Sequence, residues 1–253
     1  MRLKDKVAII TGASSGIGQA TALLFAEEGA KVVIADIDST GGEKTVAAIN
    51  DKKGKALFVE ADISKEESAK KITDETLKAF GRVDILVNNA ATFVHKGFDA
   101  TIEDWQRSLG VNVIGTSMVT KYAAEAMEKG GGGAIVNLSS ISAWVAQPNF
   151  FAYSATKGAL LQMTRNMAMD LAPAKIRVNC VCPGAILTPA SYLHMERVGK
   201  TFEEFNAEEG AKTFLKRMGK AREVASAILF MASEDAAYIT GTHLMVDGGY
   251  TAV

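Results

Sequence analysis

The sequence predicts an α/β fold, a doubly wound parallel sheet of about seven strands with helices on both faces. Two observations predict it. Short runs rich in β-branched residues recur along the chain, and most are apolar at consecutive positions, as is typical of strands buried on both faces. Segments with helical periodicity separate these runs. Alternation of strand and helix favours crossover connections onto one parallel sheet.

The individual elements follow in order. The first predicted helix places Ile17 and Leu24 on one face and ends at Gly29. A later one includes Ile72 and ends at Gly81, and glycine is the usual residue after a helix. The predicted strands are Val7–Thr11, Lys31–Ala35, Ala56–Glu60, Asp84–Val87, Ala134–Leu138, Arg177–Val181 and His243–Val246.

One long segment, about residues 185–220, interrupts this alternation. It lies between the strand ending near Val181 and a helix beginning near Glu223, and it mixes aromatic side chains and methionine with charges. Connections of this length are usually functional, so we expect a substrate lid with helices of its own; an ordinary surface excursion is the alternative. The short Gly130–Gly133 run is expected to be a turn, and no linker divides the chain. We therefore expect one domain, residues 1–253.

Composition and charge exclude several classes of protein. Of the 253 residues, 48% are hydrophobic and 23% charged, as in ordinary globular domains. Lys and Arg total 28 against 29 Asp and Glu, so nothing favours a nucleic-acid partner. No apolar run is long enough to span a membrane, and no signal peptide is recognisable, which predicts a cytoplasmic location. Cys180 and Cys182 are expected to be buried thiols, and no metal site is expected.

A glycine-rich turn, Thr11–Gly18, joins the first predicted strand to the first helix. Gly12 suits the tight turn, Gly16 lets the backbone approach a pyrophosphate, and Gly18 allows close packing of helix on strand. The start of the helix offers free N–H groups and a positive dipole end to phosphates. An ordinary tight turn is the alternative. The predicted cofactor-binding residues of this turn are Gly12, Ser14, Ser15, Gly16, Ile17 and Gly18.

An acid ends the second predicted strand. The Asp36 carboxylate can accept hydrogen bonds from the adenosine ribose hydroxyls, and it would repel a 2′-phosphate. Ser15 and Ile37, where a phosphate-binding cation could lie, carry no charge. Although a solvated acid at a strand end is the alternative, the glycine turn favours NAD over NADP as the cofactor.

Polar and small residues also follow the later strands, at the sheet edge where doubly wound proteins bind ligands. Each alone is as typical of a turn or a cap as of a ligand contact. The further predicted cofactor-binding residues are Asp36, Ile37, Asp62, Ile63, Asn89, Ala90, Tyr153, Lys157, Pro183, Gly184, Ile186 and Thr188.

The pair Tyr153 and Lys157 carries the predicted chemistry. Four residues apart, the two side chains share one helical face. A free phenol is a poor base near pH 7, but a neighbouring ammonium and a cationic nicotinamide ring stabilise the phenolate. Tyr153 can then take a proton from an alcohol while hydride leaves the carbon. Ser140, at a strand end, could polarise the substrate oxygen, and Asn112 is mid-helix, where asparagine is unfavourable unless its amide is used.

Together these motifs resemble the short-chain dehydrogenase/reductase family, with a Rossmann-like fold, over nearly the whole chain. The resemblance implies that Tyr153 is the acid/base and that Ser140 orients the substrate. It implies that Lys157 binds the nicotinamide ribose and lowers the Tyr153 pKa, and that Asn112 holds a water of a proton relay. One departure is Ala91, where the family usually has glycine. The matching pieces are Thr11–Gly18, Asp36, Asp62, Asn88–Ala90, Asn112, Ser140, Tyr153, Lys157, Pro183, Gly184, Thr188 and Val246–Gly249.

We therefore predict an NAD-dependent oxidoreductase that interconverts a secondary alcohol and a carbonyl, acting on a small polyol, sugar, hydroxy acid or cyclic alcohol. A biosynthetic 3-ketoacyl carrier protein reductase is one alternative, although it would normally use NADPH. A non-catalytic cofactor-sensing protein is another, although it should have lost part of the catalytic set. His95 follows the fourth strand, near the expected substrate, but a surface histidine is as consistent with the sequence.

Self-association is also expected. The predicted helices from Ile102 to Lys129 and from Tyr153 to Leu171 carry more apolar residues than one core face requires, and family members commonly pair these helices. A homotetramer is predicted, with a dimer as the alternative, and the uncharged end Tyr250–Val253 could form a further interface. The apolar residues assigned to the second face are Met118, Tyr122, Met127, Leu160, Met163 and Met167.

Overall fold

The computed structural model describes residues 1–252. Its strands are β1 Val7–Thr11, β2 Lys31–Asp36, β3 Lys55–Glu60, β4 Ile85–Asn88, β5 Gly133–Leu138, β6 Ile176–Pro183, β7 Ile186–Leu187, β8 Gly219–Lys220 and β9 His243–Val246. Its α-helices are α1 Gly16–Glu27, α2 Ser39–Asn50, α3 Glu66–Phe80, α4 Ile102–Leu109, α5 Thr116–Lys129, α6 Phe151–Leu171, α7 Pro189–Val198, α8 Phe202–Ala211 and α9 Ala221–Ala232.

The main sheet has seven parallel strands in the order β3-β2-β1-β4-β5-β6-β9. The chain moves outward from β1 to β3 and then returns to place β4 on the other side of β1, where Ala8 pairs with both Val32 and Ile85. This reversal leaves a crevice at the carboxyl ends of β1 and β4, the usual ligand position in such sheets. The predicted Rossmann-like, doubly wound sheet is confirmed.

Both faces of the sheet are buried, which explains the unbroken apolar runs. In β1, Ala8 and Ile10 belong to one core with Phe25 of α1, while Ile9 belongs to the opposite core with Met127 of α5. Helices α1 and α9 supply the first core, and α3 and α5 supply the second. Because every residue of β1 is buried, a polar substitution on either face would leave an unsatisfied group.

The helix ends agree with the glycine signals, but one long helix differs from its prediction. Gly81 caps α3 in the left-handed region with φ 78°, a conformation that glycine adopts without strain. Between α4 and α5 the chain winds as a π-helix over Gly110–Gly115, so Asn112 lies in a π-helical turn rather than in a regular α-helix. Such turns often occur at functional sites.

The long segment folds as β7, α7, α8 and β8, which confirms that it has helices of its own. β7 and β8 pair in parallel outside the main sheet. Met195 of α7, Phe205 of α8 and Met218 form a small core that is separate from the two cores of the sheet. This core holds α7 and α8 together, and Thr188, just before α7, lies beside Gly16 at the carboxyl end of β1.

The residues assigned to a second apolar face need correction. Met127 and Leu160 are 0% and 2% exposed, so they belong to the core of this chain and are not available to a partner. Met118, Tyr122 and Met167 are partly buried against the same core. The helical period turns these side chains toward the sheet. Other apolar side chains of these helices and of the π-helical turn are exposed instead: Leu109, Ile114, Phe151 and Met169.

Three further findings concern membrane-spanning helices, metal sites and the two cysteines. Within residues 1–252, no helix combines the length and the apolar character that a membrane span requires. The same part of the chain contains no cluster of three His, Cys, Asp or Glu side chains suited to a metal ion. Cys180 and Cys182 are buried free thiols. Val253, the last residue of the predicted C-terminal interface, lies outside the described residues.

Candidate active site

The glycine turn is compact because two of its glycines touch other backbone. Gly12 has φ +66°, and a Cβ on it would lie 2.7 Å from the Ala90 Cα. A Cβ on Gly18 would lie 2.1 Å from the Gly12 carbonyl oxygen. The Asn89 amide donates to the carbonyl oxygens of Thr11 and Gly12, each at 2.9 Å. Predicted residues from β1, α1 and the end of β4 therefore form one unit.

The start of α1 is suited to an anion. Ser15 occupies the N-cap position, but its side chain makes no capping hydrogen bond. The first N–H groups of the helix are therefore free to donate to a ligand. Gly16 has φ +59°, and a Cβ on it would lie 3.6 Å from the Thr188 side chain across a narrow cleft. Free backbone N–H donors at a helix start, beside a residue that has no side chain of its own, fit a pyrophosphate.

Asp36 is held rigidly at the end of β2. Its Oδ2 accepts a hydrogen bond from the Ser14 N–H at 2.9 Å, and its Oδ1 accepts one from the Asp38 N–H at 3.0 Å. Ile37 beside it is 71% exposed and brings no positive charge. A fixed carboxylate next to the glycine turn fits two ribose hydroxyls and disfavours an added phosphate.

The remaining predicted cofactor residues differ in what they contact. Asp62 accepts hydrogen bonds from the Ser64 N–H at 3.0 Å and from its hydroxyl at 2.7 Å, as in an ordinary turn. Ile63 is buried. Pro183 ends β6, and a Cβ on Gly184 would lie 2.9 Å from the Asp247 Cα. Ile186 is buried in the first core.

Tyr153 and Lys157 lie on one buried face of α6, at 6% and 3% exposure. The Lys157 Nζ is 5.5 Å from the centre of the Tyr153 ring and donates to the Leu138 carbonyl oxygen at 2.7 Å. The Ser139 hydroxyl donates to the Lys157 carbonyl oxygen at 2.7 Å. These contacts attach the buried Tyr153–Lys157 face of α6 to the end of β5.

Burial controls the protonation of both groups. Desolvation raises the pKa of Tyr153 well above the ordinary phenol value, and the neighbouring Ser140 hydroxyl opposes that shift. Desolvation lowers the pKa of Lys157 to about 8. At pH 7 the phenol of Tyr153 is therefore neutral, whereas Lys157 keeps most of its positive charge but loses its proton more easily than an exposed lysine. The lowered Tyr153 pKa expected from the resemblance depends on charge supplied by the bound cofactor, and it stays a prediction.

Ser140 and Asn112 are each held by hydrogen bonds of their own side chains. The Ser140 hydroxyl donates to the Ser142 hydroxyl at 3.0 Å, and Ser142 donates in turn to the Gln147 amide oxygen. The Asn112 amide donates to the Thr92 carbonyl oxygen at 3.1 Å and to the Thr156 hydroxyl at 3.0 Å. Asn112 thus ties the loop after β4 to α6, and both of its amide hydrogens are used.

Comparison with known proteins identifies the family. A family model described as enoyl-(acyl carrier protein) reductase matches residues 12–251. A short-chain dehydrogenase/reductase of Aspergillus oryzae is 37% identical over 255 residues, which cover 99% of this chain and 97% of that protein. This chain belongs to the short-chain dehydrogenase/reductase family. It is therefore an oxidoreductase of the short-chain type.

Two other members of the family resemble this short-chain dehydrogenase/reductase closely. A cis-4-hydroxycyclohexanecarboxylate dehydrogenase of Sinomonas cyclohexanicum is 39% identical over 251 residues, 98% of each chain. A solved structure of 7 alpha-hydroxysteroid dehydrogenase complexed with NADH and 7-oxo glycochenodeoxycholic acid superimposes with a TM-score of 0.92. That protein is 37% identical, and the match covers 98% of this chain and 95% of the other.

The sequence did not predict the aromatic wall beside Tyr153 of this short-chain dehydrogenase/reductase. The Tyr153 ring stacks on Phe93, with the ring centres 4.7 Å apart and the planes inclined by 21°. The edge of Phe150 meets it at 5.7 Å. Trp144, 48% exposed, lies in the segment between β5 and α6. The only signal for this wall in the sequence was that aromatic residues follow two of the strands. Their positions in the sequence do not show that the rings contact one another.

Lys157 should cost the folded protein stability at neutral pH. The pKa of Lys157 falls from 10.5 in the unfolded chain to about 8 in the folded protein. The contribution of the neutral side chain to the free energy of unfolding is therefore fully present above pH 10.5, and it is lost as the pH falls through 8. At about 1.4 kcal/mol per pKa unit, the loss is about 3 kcal/mol. We expect the free energy of unfolding of the parent, relative to Lys157→Met, to rise by about that amount from pH 7 to pH 10.5 in denaturant titrations. A difference that does not change with pH would contradict this.

Proposed function

We propose that this protein is an NAD-dependent dehydrogenase that interconverts a secondary alcohol on a carbon ring and the corresponding ketone. The observation that carries the proposal is the buried Tyr153–Lys157 face, which lies with Ser140 at the same sheet edge as the glycine turn and Asp36. A phenol that can move a proton beside a dinucleotide cleft suits alcohol oxidation coupled to hydride transfer.

The aromatic wall favours a ring substrate over the polyols and sugars that the sequence also allowed. Phe93 and Phe150 present apolar ring surface to the phenol of Tyr153, whereas a sugar requires hydrogen-bonding partners for each of its hydroxyls. Two similar members of the family are named for a hydroxycyclohexane acid and for a hydroxysteroid, both of which are ring alcohols.

The chain's own residues fit NAD in three places. The uncapped start of α1 at Ser15 and Gly16 suits the pyrophosphate, the fixed Asp36 carboxylate suits the adenosine ribose, and Lys157 suits the nicotinamide ribose. When bound, NAD supplies a hydride acceptor. The other predicted contacts, among them Asp62, Asn89 and Thr188, remain part of the proposal.

The catalytic roles are proposed as follows. Tyr153 takes the hydroxyl proton of the alcohol, or returns it to the ketone in the reverse direction. The Ser140 hydroxyl, held by Ser142, turns to donate to the substrate oxygen. Lys157 places a positive charge beside the phenol, which favours its ionised form. Asn112 positions the helix and the preceding loop, and a water bound near it would connect Lys157 to solvent.

A substrate panel tests the proposal. We expect NADH to form with cyclic secondary alcohols and NAD, at a higher kcat/KM than with polyols or linear hydroxy acids. Reduction of an enoyl or a 3-ketoacyl thioester without oxidation of ring alcohols would replace this function by a biosynthetic reduction. Binding of NAD without turnover of any member of the panel would favour a cofactor-sensing protein.

We also propose that the protein is a homotetramer. The exposed apolar side chains of Ile114, Phe151 and Met169 lie on the helices and turn that the family commonly pairs, and their exposure suits burial by another subunit. Light scattering at micromolar concentration should give four times the mass of the chain. A monomeric mass would refute the assembly. The cytoplasmic location and the single-domain organisation stay predictions.

A further inference from the structure

We propose that His95, His194 and Arg197 form an anion-binding end of the substrate pocket, so that the preferred substrate carries a carboxylate on the far side of its ring from the reacting hydroxyl. This inference rests on the proposed function, because it places the rest of the same substrate. The inference gives a role to His95, which is not one of the proposed catalytic residues. It also gives a role to the face of α7 that carries His194 and Arg197, which the proposed NAD contacts do not include.

A continuous stack of rings connects the histidines to the catalytic phenol. Phe93 stacks on Tyr153 at 4.7 Å, and His95 lies parallel to Phe93 at 6.0 Å with the planes inclined by only 10°. The imidazole of His194, on α7, stacks on that of His95, with the ring centres 5.6 Å apart. Two stacking steps thus separate the phenol from His95. A six-membered ring lying along this wall would bring its reacting carbon to Tyr153 and its opposite substituent to the histidines.

Among residues 1–252, none of the three side chains has a hydrogen-bonding or ion-pair partner. Neither imidazole makes a side-chain hydrogen bond with any of residues 1–252, although both are partly buried, and Arg197 forms no ion pair within that range. Nearby cations are paired: Lys96 lies 2.8 Å from Asp104, and Lys200 contacts Glu208. Partly buried imidazoles without partners are unfavourable unless a ligand or water supplies hydrogen bonds.

The local charge favours an anion over a neutral polar group. His194 and Arg197 are three residues apart on α7 and share a face, whereas Glu196 is two residues from His194 and belongs to another face. Burial lowers the pKa of His95, and the nearby charges of His194 and Arg197 lower it further. No carboxylate lies close enough to raise that pKa. A carboxylate bound here would therefore meet imidazole and guanidinium donors without an acidic neighbour that repels it.

The position of His194 depends on the small core beneath α7. The edge of its ring meets Phe205 of α8 at 5.6 Å, and Met195 beside it is buried against Phe205 and Met218. The histidine pair is thus held from two directions, by the wall near Tyr153 and by the core of the α7–α8 segment. Preorganised donors lose little entropy when they bind an anion.

The test compares two substrates that differ only in the distal group: cis-4-hydroxycyclohexanecarboxylate and cis-4-methylcyclohexanol, each with saturating NAD. We expect the acid to have the higher kcat/KM, by about ten- to a hundredfold, as for a hydrogen bond to a charged group. His194→Gln and Arg197→Gln should each remove most of this preference by raising the KM for the acid, while kcat/KM for methylcyclohexanol stays within about twofold. Arg197→Glu should reverse the preference.

Arg222→Gln is the matched control, since it removes the same charge from a residue that is already paired with Glu27 at 2.7 Å. It should leave the ratio between the two substrates unchanged. Equal kcat/KM for acid and methylcyclohexanol, or an equal loss for both in the Arg197 variants, would overturn the inference while leaving the dehydrogenase function in place.

Binding without turnover separates the two proposals. Cyclohexanecarboxylate has no hydroxyl group and so cannot be oxidised to a ketone. We expect it to raise the melting temperature of the NADH-loaded protein by more than neutral methylcyclohexane does. The Arg197→Glu variant should lose this shift. Should the shift appear while no ring alcohol is oxidised, the anion site stands and the proposed function fails. Absence of the shift in the parent counts against the anion site itself.

Discussion

Replacing Tyr153 with phenylalanine is expected to lower the turnover of a ring alcohol by at least about a hundredfold, and by as much as about ten-thousandfold. The variant keeps the ring and its stacking on Phe93, but it lacks the hydroxyl that moves the proton. Because neither the glycine turn nor Asp36 contacts that hydroxyl, NAD affinity should be nearly unchanged. Steady-state turnover and calorimetric NAD titration measure the two effects separately.

Tyr238→Phe provides the matched control for this experiment. Its side chain is fully exposed, so loss of its hydroxyl should change neither turnover nor cofactor binding. Activity of Tyr153→Phe within tenfold of the parent, with an unchanged pH profile, would show that the proton leaves by another route and would remove Tyr153 from the proposed catalytic set.

The double variant Asp36→Ala with Ile37→Arg is expected to reverse the cofactor preference from NAD to NADP. The Asp36 carboxylate is fixed by two backbone N–H groups, so it cannot turn away from an added 2′-phosphate, and the exposed position 37 can direct a guanidinium toward it. Removing a like charge and adding an opposite one should change the ratio of kcat/KM values by at least about a hundredfold, since each 1.4 kcal/mol is a factor of ten.

Asp51→Ala serves as the control for the loss of the Asp36 charge, and it should leave the preference for NAD unchanged. Asp51 follows α2 and is exposed, and its removal alters net charge by the same amount as the loss of Asp36. Equal kcat/KM for NAD and NADP in the parent would contradict the assignment of Asp36. The same conclusion would follow if the double variant kept the parent's preference.

Much of the fold could be predicted because its signals are local. A strand covered on both faces must be apolar at consecutive positions, and all seven strands of the main sheet were recognised this way, with small differences at their ends. Gly81 ends α3 where predicted, because few other residues accept a positive φ there without strain. Tyr153 and Lys157 share a face because helical spacing alone requires it.

Other features depend on contacts between distant parts of the chain. The π-helical turn around Asn112 adds a residue to one turn, which apolar periodicity does not reveal. The same periodicity could not tell an inward face from an outward one, so Met127 and Leu160 were wrongly assigned to an interface. Only the packing of α5 and α6 against the sheet decided which side chains remained exposed.

The sequence by itself determined the parallel sheet and placed Tyr153 and Lys157 on one helical face, because apolar patterning and helical spacing are local properties. The glycine turn with Asp36 and the four catalytic groups are predictions that also depend on the resemblance to the family. The tertiary structure alone decided that burial moves the pKa of Tyr153 upward and that of Lys157 downward, since desolvation depends on what surrounds a group. It also brought His194 to within 5.6 Å of His95, a pairing across separate elements that no local pattern encodes.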